Sequence, residues 1–371
     1  MSTTLANIAT IAINGRFLGR RITGVDRFAN EVVRSIDQLV AAGDPATAGL
    51  SFELLVPASV PIDPAQFPHL RVTTVPGGSG QRWEQLSLPR AARGRLLLNL
   101  CNVGPLGYPN QVTVLHDAAP VRVPQAYTRA FRTWYRLMVP WIGRIARRVL
   151  TVSEFSRGEL TQAYHIPADK IGVLPMSGDH MLRLSETTDV RQKFQLSDRP
   201  YVLAVGSASH HKNFRLVLEA IRLLKGADYD VVSVGATLPV FQAAERAMPD
   251  FVRRVGYVDD DDLKGLFRHA ACFVFPSLYE GYGLPPVEAM TLGCPVLAAS
   301  LPSVREACGD AALYFRPTSA AELGEVLGRV MGDSALRASL RARGYAHTER
   351  NSWRATAAAL LSEVSPWLPQ K

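Results

Sequence analysis

Short apolar runs alternate with amphipathic stretches along most of the chain, and this alternation is typical of α/β proteins with parallel sheets. The first helix has the clearest pattern, because apolar residues between Val25 and Val40 recur at three- and four-residue spacing. The strands predicted for the first half are Ile8–Ile13, Phe52–Val56, Leu70–Val75, Leu96–Leu100, Val112–Leu115 and Val149–Val152. Those predicted for the second half are Tyr201–Val205, Val231–Val234, Phe251–Val255, Cys272–Phe275, Val296–Ala298 and Ala312–Phe315. Each half therefore predicts its own Rossmann-like domain.

A polar stretch without a strong period runs from Met176 to Pro200 and predicts the linker between the two domains. We place the domains at residues 1–180 and 181–371, with an almost entirely helical tail at Ser319–Leu368. Parallel sheets of this class bind ligands at the carboxyl ends of their strands. Two such domains facing one another predict a binding cleft.

The composition agrees with two globular domains. The chain has 371 residues, of which 47% are hydrophobic and 20% charged, and this excludes a disordered protein. Its net charge of +8 favours anionic partners, without choosing among nucleic acid, phosphorylated small molecules and lipid surfaces. The chain has no recognised nucleic-acid-binding motif, so nucleic acid is not an expected partner.

The four cysteines predict a reducing environment. Cys101, Cys272, Cys294 and Cys308 form no CxxC pair and lie beside small or apolar residues, which predicts buried, reduced thiols. No apolar run reaches the length of a membrane span, and the N-terminal residues are typical of a first strand rather than of a signal peptide. We therefore expect a cytoplasmic protein.

The strongest motif is FPSLYEGYGLPPVEAM, from Phe275 to Met290. A strand ends at its start, a glycine-rich loop follows, and a helix begins near Pro286. Backbone N–H groups in such a loop can approach hydroxyls and phosphate oxygens closely, and a carboxylate such as Glu288 can accept two hydrogen bonds from a vicinal diol. The alternative is an acid stabilised by the helix dipole at Glu288 and a surface charge at Glu280.

A second motif, VGSASHHKN from Val205 to Asn213, follows a strand and precedes a helix. A cation at Lys212, together with the N–H groups at the helix start, would stabilise a leaving diphosphate. The alternative is a solvated loop lysine.

Two further pairs follow strands of the first half. His116 and Asp117 come directly after Val112–Leu115, where α/β proteins form their sites, although the alternative is a helix-capping Asp beside an incidental His. Ser153 and Glu154 have the weaker claim, because Ser153 is also a good N-cap for the next helix.

The loop Arg16–Gly24 lacks the GxGxxG spacing of a nicotinamide site, so no such cofactor is expected. The acidic run Asp259–Asp262 opens a helix, where the dipole favours acids, so we interpret it as a helix start and predict no catalytic metal.

Taken together, these blocks resemble the retaining glycosyltransferases of family 4, which have the GT-B fold of two Rossmann-like domains. The resemblance covers nearly the whole chain, and its residues are ITGVDRFANEVV, VLHDAAPVRVP, TVSEFS, VGSASHHKN, VGYVDDDDL and the E-x7-E block of Glu280 and Glu288. The HKN and EGYGLPP blocks resemble bacterial polysaccharide mannosyltransferases. The resemblance thus implies transfer of a hexose, with mannose from GDP-mannose the best guess, to a glycan or lipid-linked oligosaccharide of a cell-surface lipopolysaccharide or exopolysaccharide.

The resemblance also implies residue roles. Glu280 would contact the donor sugar and Glu288 the ribose, Val255 and Tyr257 would flank the base, and His116 would face the sugar near its reacting carbon. The implied catalytic residues are His116, Lys212 and Glu280. The implied donor-binding residues are Gly206, Ser207, Lys212, Val255, Tyr257, Glu280, Gly281, Tyr282, Gly283, Leu284 and Glu288. The loop that closes over the acceptor and the donor phosphates would contribute Arg16, Thr23 and Gly24.

One departure from the family pattern keeps alternatives open. Relatives often carry a second cation where this chain has Ser207, and His211 would partly substitute for it. A catalytically silent nucleotide-sugar-binding partner therefore remains an alternative. A nucleotide-sugar epimerase is a further alternative, because it can share the same two-domain fold. The family is usually described by a front-face mechanism, in which the departing phosphate helps to deprotonate the acceptor; neither a cofactor nor a metal is expected.

The segment 127–148 interleaves arginines with aromatic residues. Such a helix suits a headgroup surface and predicts peripheral contact with the inner face of the cell membrane. The alternative is an ordinary amphipathic helix whose aromatics lie in the core.

Overall fold

The computed structural model describes residues 9–186, 189–206, 209–224, 229–235 and 252–368. The chain forms two compact units. The first comprises the residues up to 121, residues 129–176 and those from 353 onwards, and the second comprises residues 122–128 and 177–352. Each unit has its own parallel sheet flanked by helices, which confirms the predicted α/β class.

A seven-stranded parallel sheet organises the first unit. Its strands are β1 (Ala9–Asn14), β2 (Leu50–Pro57), β3 (Arg71–Val75), β4 (Leu96–Asn99), β5 (Gln111–Val114), β6 (Arg148–Thr151) and β7 (Ile171–Val173). Their spatial order is β3-β2-β1-β4-β5-β6-β7, so the order reverses between β1 and β4. The sequence analysis missed β7, because its three residues are too few to show a period.

A six-stranded parallel sheet organises the second unit. Its strands are β8 (Tyr201–Val205), β9 (Asp230–Val234), β10 (Val252–Gly256), β11 (Cys272–Phe275), β12 (Val296–Ala299) and β13 (Ala312–Phe315), all of them predicted. The order β10-β9-β8-β11-β12-β13 reverses between β8 and β11. Such reversals are the positions where open α/β sheets bind ligands.

The helices cover the sheets and fill the C-terminal region, as predicted. In chain order they are α1 (Gly24–Ala41), α2 (Gly80–Ala91), α3 (Ala119–Arg122), α4 (Arg129–Ile145), α5 (Glu154–Tyr164), α6 (His180–Arg183), α7 (Val190–Lys193), α8 (Phe214–Leu223), α9 (Asp260–His269), α10 (Leu284–Thr291), α11 (Pro302–Cys308), α12 (Ala320–Gly332), α13 (Ser334–Thr348) and α14 (Trp353–Val364). The last helix returns to the first unit and packs on α1, where the Trp353 ring meets the edge of Phe28 at 5.8 Å. In the second unit α8 and α12 pack on one another beside β8 and β11.

All four cysteines are buried thiols, which confirms the prediction. Burial raises the pKa of Cys101 and Cys308 to about 12, so both thiols stay protonated at neutral pH. Of the helices formed by the described residues, none is both long and apolar enough to span a bilayer.

Candidate functional site

The loops that follow β8 and β11 meet at the point where the strand order of the second sheet reverses. These strands are parallel neighbours, with Val202 opposite Cys272, so their carboxyl ends lie at the same edge of the sheet. Lys212 follows β8 and Glu280 follows β11, and Lys212 Nζ lies 2.6 Å from Glu280 Oε1. The structure therefore brings together two of the three residues predicted to be catalytic.

The backbone around Lys212 is fixed to the loop that carries Glu280. Asn213 has a left-handed conformation, with φ 54°, and its Nδ2 donates hydrogen bonds to Pro276 O at 3.0 Å and Pro317 O at 2.9 Å. The N–H of Leu278 donates to His211 O at 2.7 Å. These bonds hold the cation at a defined place before any ligand arrives.

Glu280 is positioned from its other side by a residue that the sequence analysis missed. The hydroxyl of Ser303, which is fully buried in α11, donates to Glu280 O at 2.7 Å. This leaves the Glu280 carboxylate to meet Lys212. No local sequence signal connects Ser303 with the glycine-rich loop.

The glycine-rich loop itself is buried. Gly281, Tyr282, Gly283 and Leu284 are all buried, and α10 begins at Leu284 with prolines in its first turn. The helix begins four residues after Glu280, and because Pro285 and Pro286 have no backbone N–H, only Leu284 and Val287 could offer N–H groups in its first four positions. The arrangement suits an anion or a hydroxyl-rich ligand.

Glu288 is the fifth of the eight residues of α10 and is buried, as is His180 of α6. His180 Nε2 lies 3.1 Å from Glu288 Oε1, a close polar contact whose angles are not those of an aligned hydrogen bond. About 10% of the Glu288 side chain remains exposed, against 1% of the His180 side chain. The sequence analysis did not single out His180.

Gly206 follows β8 and is in close backbone contact with Gly235, which follows β9. Gly235 has φ 135°, and a Cβ there would lie 1.8 Å from Gly206 O, so only glycine fits. Ser207, which was predicted to bind the donor, lies outside the described residues. Val255 lies in β10 and Tyr257 follows it, with 59% of Tyr257 exposed.

His211 was expected to substitute partly for the second cation that is missing at Ser207. Desolvation and then the charge of Lys212 lower the pKa of His211, which favours its neutral form. Its Nδ1 is buried and has no hydrogen-bond partner among the residues that the structure describes. Lys212 is therefore the cation of this loop, and His211 brings a buried polar nitrogen.

The acidic run Asp259–Asp262 has structural contacts of its own. Asp259 Oδ1 caps α9 by accepting from Asp262 N at 2.8 Å, and Lys193 Nζ lies 2.6 and 2.7 Å from the two carboxylate oxygens of Asp262. This confirms that the run starts a helix.

His116 lies in the first unit, after β5. It is buried, its Nε2–H donates to Leu100 O at 3.0 Å, and its ring meets the Phe28 edge at 5.0 Å. Desolvation lowers its pKa to about 4, so it is neutral at physiological pH. Its neighbour Asp117 accepts from Ala119 N at 2.8 Å, which caps α3.

Ser153 is the N-cap that was weighed as an alternative in the sequence. Its hydroxyl oxygen accepts from Ser156 N at 2.9 Å at the start of α5. This contact accounts for Ser153 by helix formation alone.

The loop after β1 contains the other predicted residues of the first unit. Arg16 Nε lies 3.4 Å from Oε1 of the buried Glu84, which also accepts from Asn14 Nδ2 at 2.8 Å. Thr23 Oγ1 donates to Asp26 Oδ2 at 2.6 Å at the start of α1, and Gly24 is the first residue of that helix. The sequence analysis did not predict the Glu84 contacts.

Helix α4 has a side packed in the core and an opposite side that is exposed. Met138, Val139 and Ile142 lie in the core, with Trp134 and Tyr135 packed against it. The opposite face exposes Leu137 (69%) and Trp141 (50%). The exposed arginines of this helix are Arg129, Arg136 and Arg144.

Comparison with known proteins gives matches in both halves of the chain. The model described as "Glycosyl transferases group 1" matches residues 186–347, and that of "Glycosyltransferase Family 4" matches residues 92–179.

The curated relatives include proteins whose names specify a sugar, mannose among them. The O-antigen chain mannosyltransferase B of Escherichia coli is 32% identical over 261 residues, which are 65% of this chain and 66% of that protein. The O-antigen chain mannosyltransferase RfbU of Salmonella typhimurium is 26% identical over 212 residues, 56% of this chain and 57% of that protein. The match thus spans less than two thirds of the length of either relative.

Among solved structures, the sucrose-phosphate synthase of Thermosynechococcus elongatus superimposes with a TM-score of 0.71. It is 18% identical, and the superposition covers 96% of this chain and 98% of that structure. At this identity the likeness shows the shared fold.

Proposed function

We propose that this chain, whose two halves match glycosyltransferase family models, transfers a hexose from a nucleoside-diphosphate sugar to a glycan or lipid-linked oligosaccharide, with retention of anomeric configuration. The observation that carries the proposal is the Lys212–Glu280 pair at the strand-order reversal of the second sheet, beside a buried glycine-rich loop. A cation, loop N–H groups and a helix N-terminus at one edge of a sheet suit a diphosphate.

The donor sugar we propose is mannose, carried by GDP. The support is that both named relatives are O-antigen mannosyltransferases and that the HKN and EGYGLPP blocks resemble proteins of that kind. O-antigen is a cell-surface polysaccharide, which makes a growing glycan or its lipid-linked precursor the acceptor we favour.

The residue roles follow from charge and position. Lys212 would stabilise the negative charge that develops on the departing diphosphate, while Glu280 accepts hydrogen bonds from hydroxyls of the donor sugar. Glu288 would accept from the ribose, and the backbone of Gly281–Gly283 would donate to the sugar or phosphate. Val255 and Tyr257 would flank the base, and Gly206, Ser207 and Leu284 would complete the donor site.

The reaction needs no covalent intermediate in this scheme. The bond from the sugar to the diphosphate breaks, the bond to the acceptor oxygen forms on the same face, and the acceptor proton passes to the departing phosphate oxygen. The protein acts chiefly by positioning and by charge stabilisation. We assign acceptor binding to the first domain, with Arg16, Thr23 and Gly24, and donor binding to the second, while His116 would face the donor sugar near its reacting carbon.

We further propose that α4 docks on an anionic membrane surface. Its outer face presents three exposed arginines together with Leu137 and Trp141, a combination that suits lipid headgroups. An acceptor held on a lipid would then be presented at that surface, at the inner face of the cell membrane.

A donor screen tests the proposal. The purified chain is incubated with GDP-mannose, GDP-fucose, UDP-glucose, UDP-galactose and dTDP-rhamnose, with a polyprenyl-diphosphate-linked oligosaccharide as acceptor, and products are analysed by NMR. We expect an α-mannosylated acceptor from GDP-mannose. Conversion of the free nucleotide sugar to an epimer would identify an epimerase instead. Donor binding without any product would support the silent partner.

A further inference from the structure

We propose that His180 is a positioning residue, which orients the Glu288 carboxylate so that it can bind the ribose diol of the donor nucleotide. This inference rests on the proposed function and adds a residue to its donor site. It starts from the 3.1 Å contact between His180 Nε2 and Glu288 Oε1, both in the second unit.

The burial of the pair makes the contact important. A carboxylate with 10% of its side chain exposed is largely removed from water, and an unpaired buried charge is costly. An imidazole carries a proton on Nε2 when charged and in one neutral tautomer. Nε2 lies 3.1 Å from Glu288 Oε1, so a small rotation of the ring would align an N–H with that oxygen and replace part of the lost hydration.

Close packing of the chain before α6 sets the distance. A Cβ on Gly178 would lie 2.5 Å from Thr291 Oγ1 and 2.8 Å from Val287 O, so the segment lies directly against α10. Ser177 Oγ donates to Asn351 O at 3.1 Å, which fixes the same segment from the other side. His180 therefore meets Glu288 from a rigid support.

The two carboxylate oxygens of Glu288 would therefore have different roles. His180 contacts Oε1, and the exposed part of the Glu288 side chain is available to a ligand. A carboxylate that receives two hydroxyls from a cis-diol must be held in one rotamer, because both bonds depend on its plane. Loss of the imidazole would free that rotamer and weaken diol recognition specifically.

The test compares nucleotides with and without the diol. Affinities of GDP and 2′,3′-dideoxy-GDP are measured by calorimetry for the wild-type chain and for His180→Ala, His180→Gln and His180→Asn, with UDP and its dideoxy analogue as a second pair. The control is His347→Ala, because the Nε2 of His347 likewise lies close to a protein oxygen, Ala307 O at 2.8 Å, but outside the site. We expect wild type and the control to prefer the diol about tenfold or more.

For His180→Ala we expect about a tenfold lower affinity for GDP and an unchanged affinity for its dideoxy analogue. Gln places an amide N–H near the position of Nε2 and should restore the preference, whereas the shorter Asn should not. If His180→Ala does not fold, the comparison of His180→Gln with His180→Asn tests the inference instead. The inference would be overturned if the variants lost affinity equally for GDP and for the dideoxy analogue, or if His180→Ala and His180→Asn kept the preference for the diol. Either result would leave the proposed function intact. A wild-type chain that binds neither GDP nor UDP would overturn both.

Discussion

Lys212 Nζ lies 2.6 Å from Glu280 Oε1, so the cation proposed for the leaving diphosphate and the acid proposed for the donor sugar are already paired before a donor arrives. The pair is partly exposed, with 24% of the lysine and 15% of the glutamate side chain accessible. A bound diphosphate would therefore draw Lys212 partly away from Glu280 and free that carboxylate for sugar hydroxyls. The two proposed roles are coupled through one contact.

Replacing Lys212 should lower turnover far more than stability. We expect Lys212→Ala to reduce kcat by about 10²–10³-fold, the usual effect of removing one donor aimed at developing charge. Turnover at saturating donor and the melting temperature measure the two effects. Lys193→Ala is the matched control, because Lys193 also pairs with a buried acid, Asp262, at 2.6 Å but outside this site. A kcat for Lys212→Ala equal to that of the control would make Lys212 an ordinary surface charge.

The elements of the fold could be predicted because their signals are local. Most strands of the second sheet are apolar runs, although β10 contains Arg253 and Arg254. Lys212 and Glu280 stand out because each lies in the loop that follows such a run. Ser303 and His180 could not be found in this way. Each acts through a contact with a residue far away in the sequence, and neither a buried Ser at a helix start nor a His after a polar stretch is distinctive.

The same limit applies to the first unit. The interaction of Asn14 and Arg16 with Glu84 depends on how α2 packs beside β1, which no pattern along the chain specifies. Conversely, the capping contacts of Ser153 and Asp259 were predictable, because a cap involves residues only three positions apart.

The Gly235–Gly206 contact predicts a backbone requirement at the donor site. Gly235→Ala would place a Cβ 1.8 Å from Gly206 O at a φ of 135°, so the backbone must shift. We expect a loss of about 1–3 kcal/mol in stability and weaker nucleotide binding. Gly332→Ala, where a Cβ meets no atom within 4 Å, is the control and should leave both unchanged. Normal nucleotide affinity in Gly235→Ala would show that the Gly206 loop does not depend on this contact.

Transfer activity should be fully retained in EDTA. The acids that most resemble a metal motif are already engaged, since Asp259 caps α9 and both oxygens of Asp262 lie within 2.7 Å of Lys193 Nζ. Activity is compared in chelator and in added Mg²⁺ or Mn²⁺, with Asp261→Asn as a variant that removes one charge of the run. Activity lost in EDTA and regained with either ion would show that the run has a second role.

His116 should make folding stability depend on pH. Its folded pKa is about 4, below the usual value of 6.5, because burial disfavours the charged ring. Above pH 6.5 the ring is neutral in both states and contributes no dependence. Between pH 6.5 and 4 the unfolded chain binds a proton that the folded chain does not. The free energy of unfolding therefore falls by about 1.4 kcal/mol for each pH unit between 6.5 and 4.

Urea denaturation at pH 7 and pH 5 measures this effect. Between pH 7 and pH 5 we expect the free energy of unfolding of the wild type to fall by about 2 kcal/mol more than that of His116→Asn, whatever the absolute stability of the variant. Parallel pH dependence in the two proteins would mean that His116 is protonated as readily in the folded chain as in the unfolded one.

The exposed face of α4 should bind anionic vesicles. Arg129, Arg136 and Arg144 share that face with Leu137 and Trp141. Each arginine near an anionic leaflet contributes about 1 kcal/mol, so reversing all three to Glu should lower binding by at least 10²-fold. Sedimentation with phosphatidylglycerol-containing and pure phosphatidylcholine vesicles measures the loss. Leu137→Ser should weaken binding to a smaller extent, because it removes apolar contact without changing charge.

General electrostatic attraction is the rival explanation, because the whole chain has a charge of +8. The matched control reverses Arg34, Arg82 and Arg93, which are exposed in the same unit but lie outside α4. Both triple variants change the net charge equally, so a non-specific attraction would weaken equally in the two. A loss confined to the α4 variant, with transfer to a water-soluble acceptor unchanged, would locate the docking surface on this helix. Equal losses in both variants, or equal binding of the wild type to neutral and anionic vesicles, would contradict it.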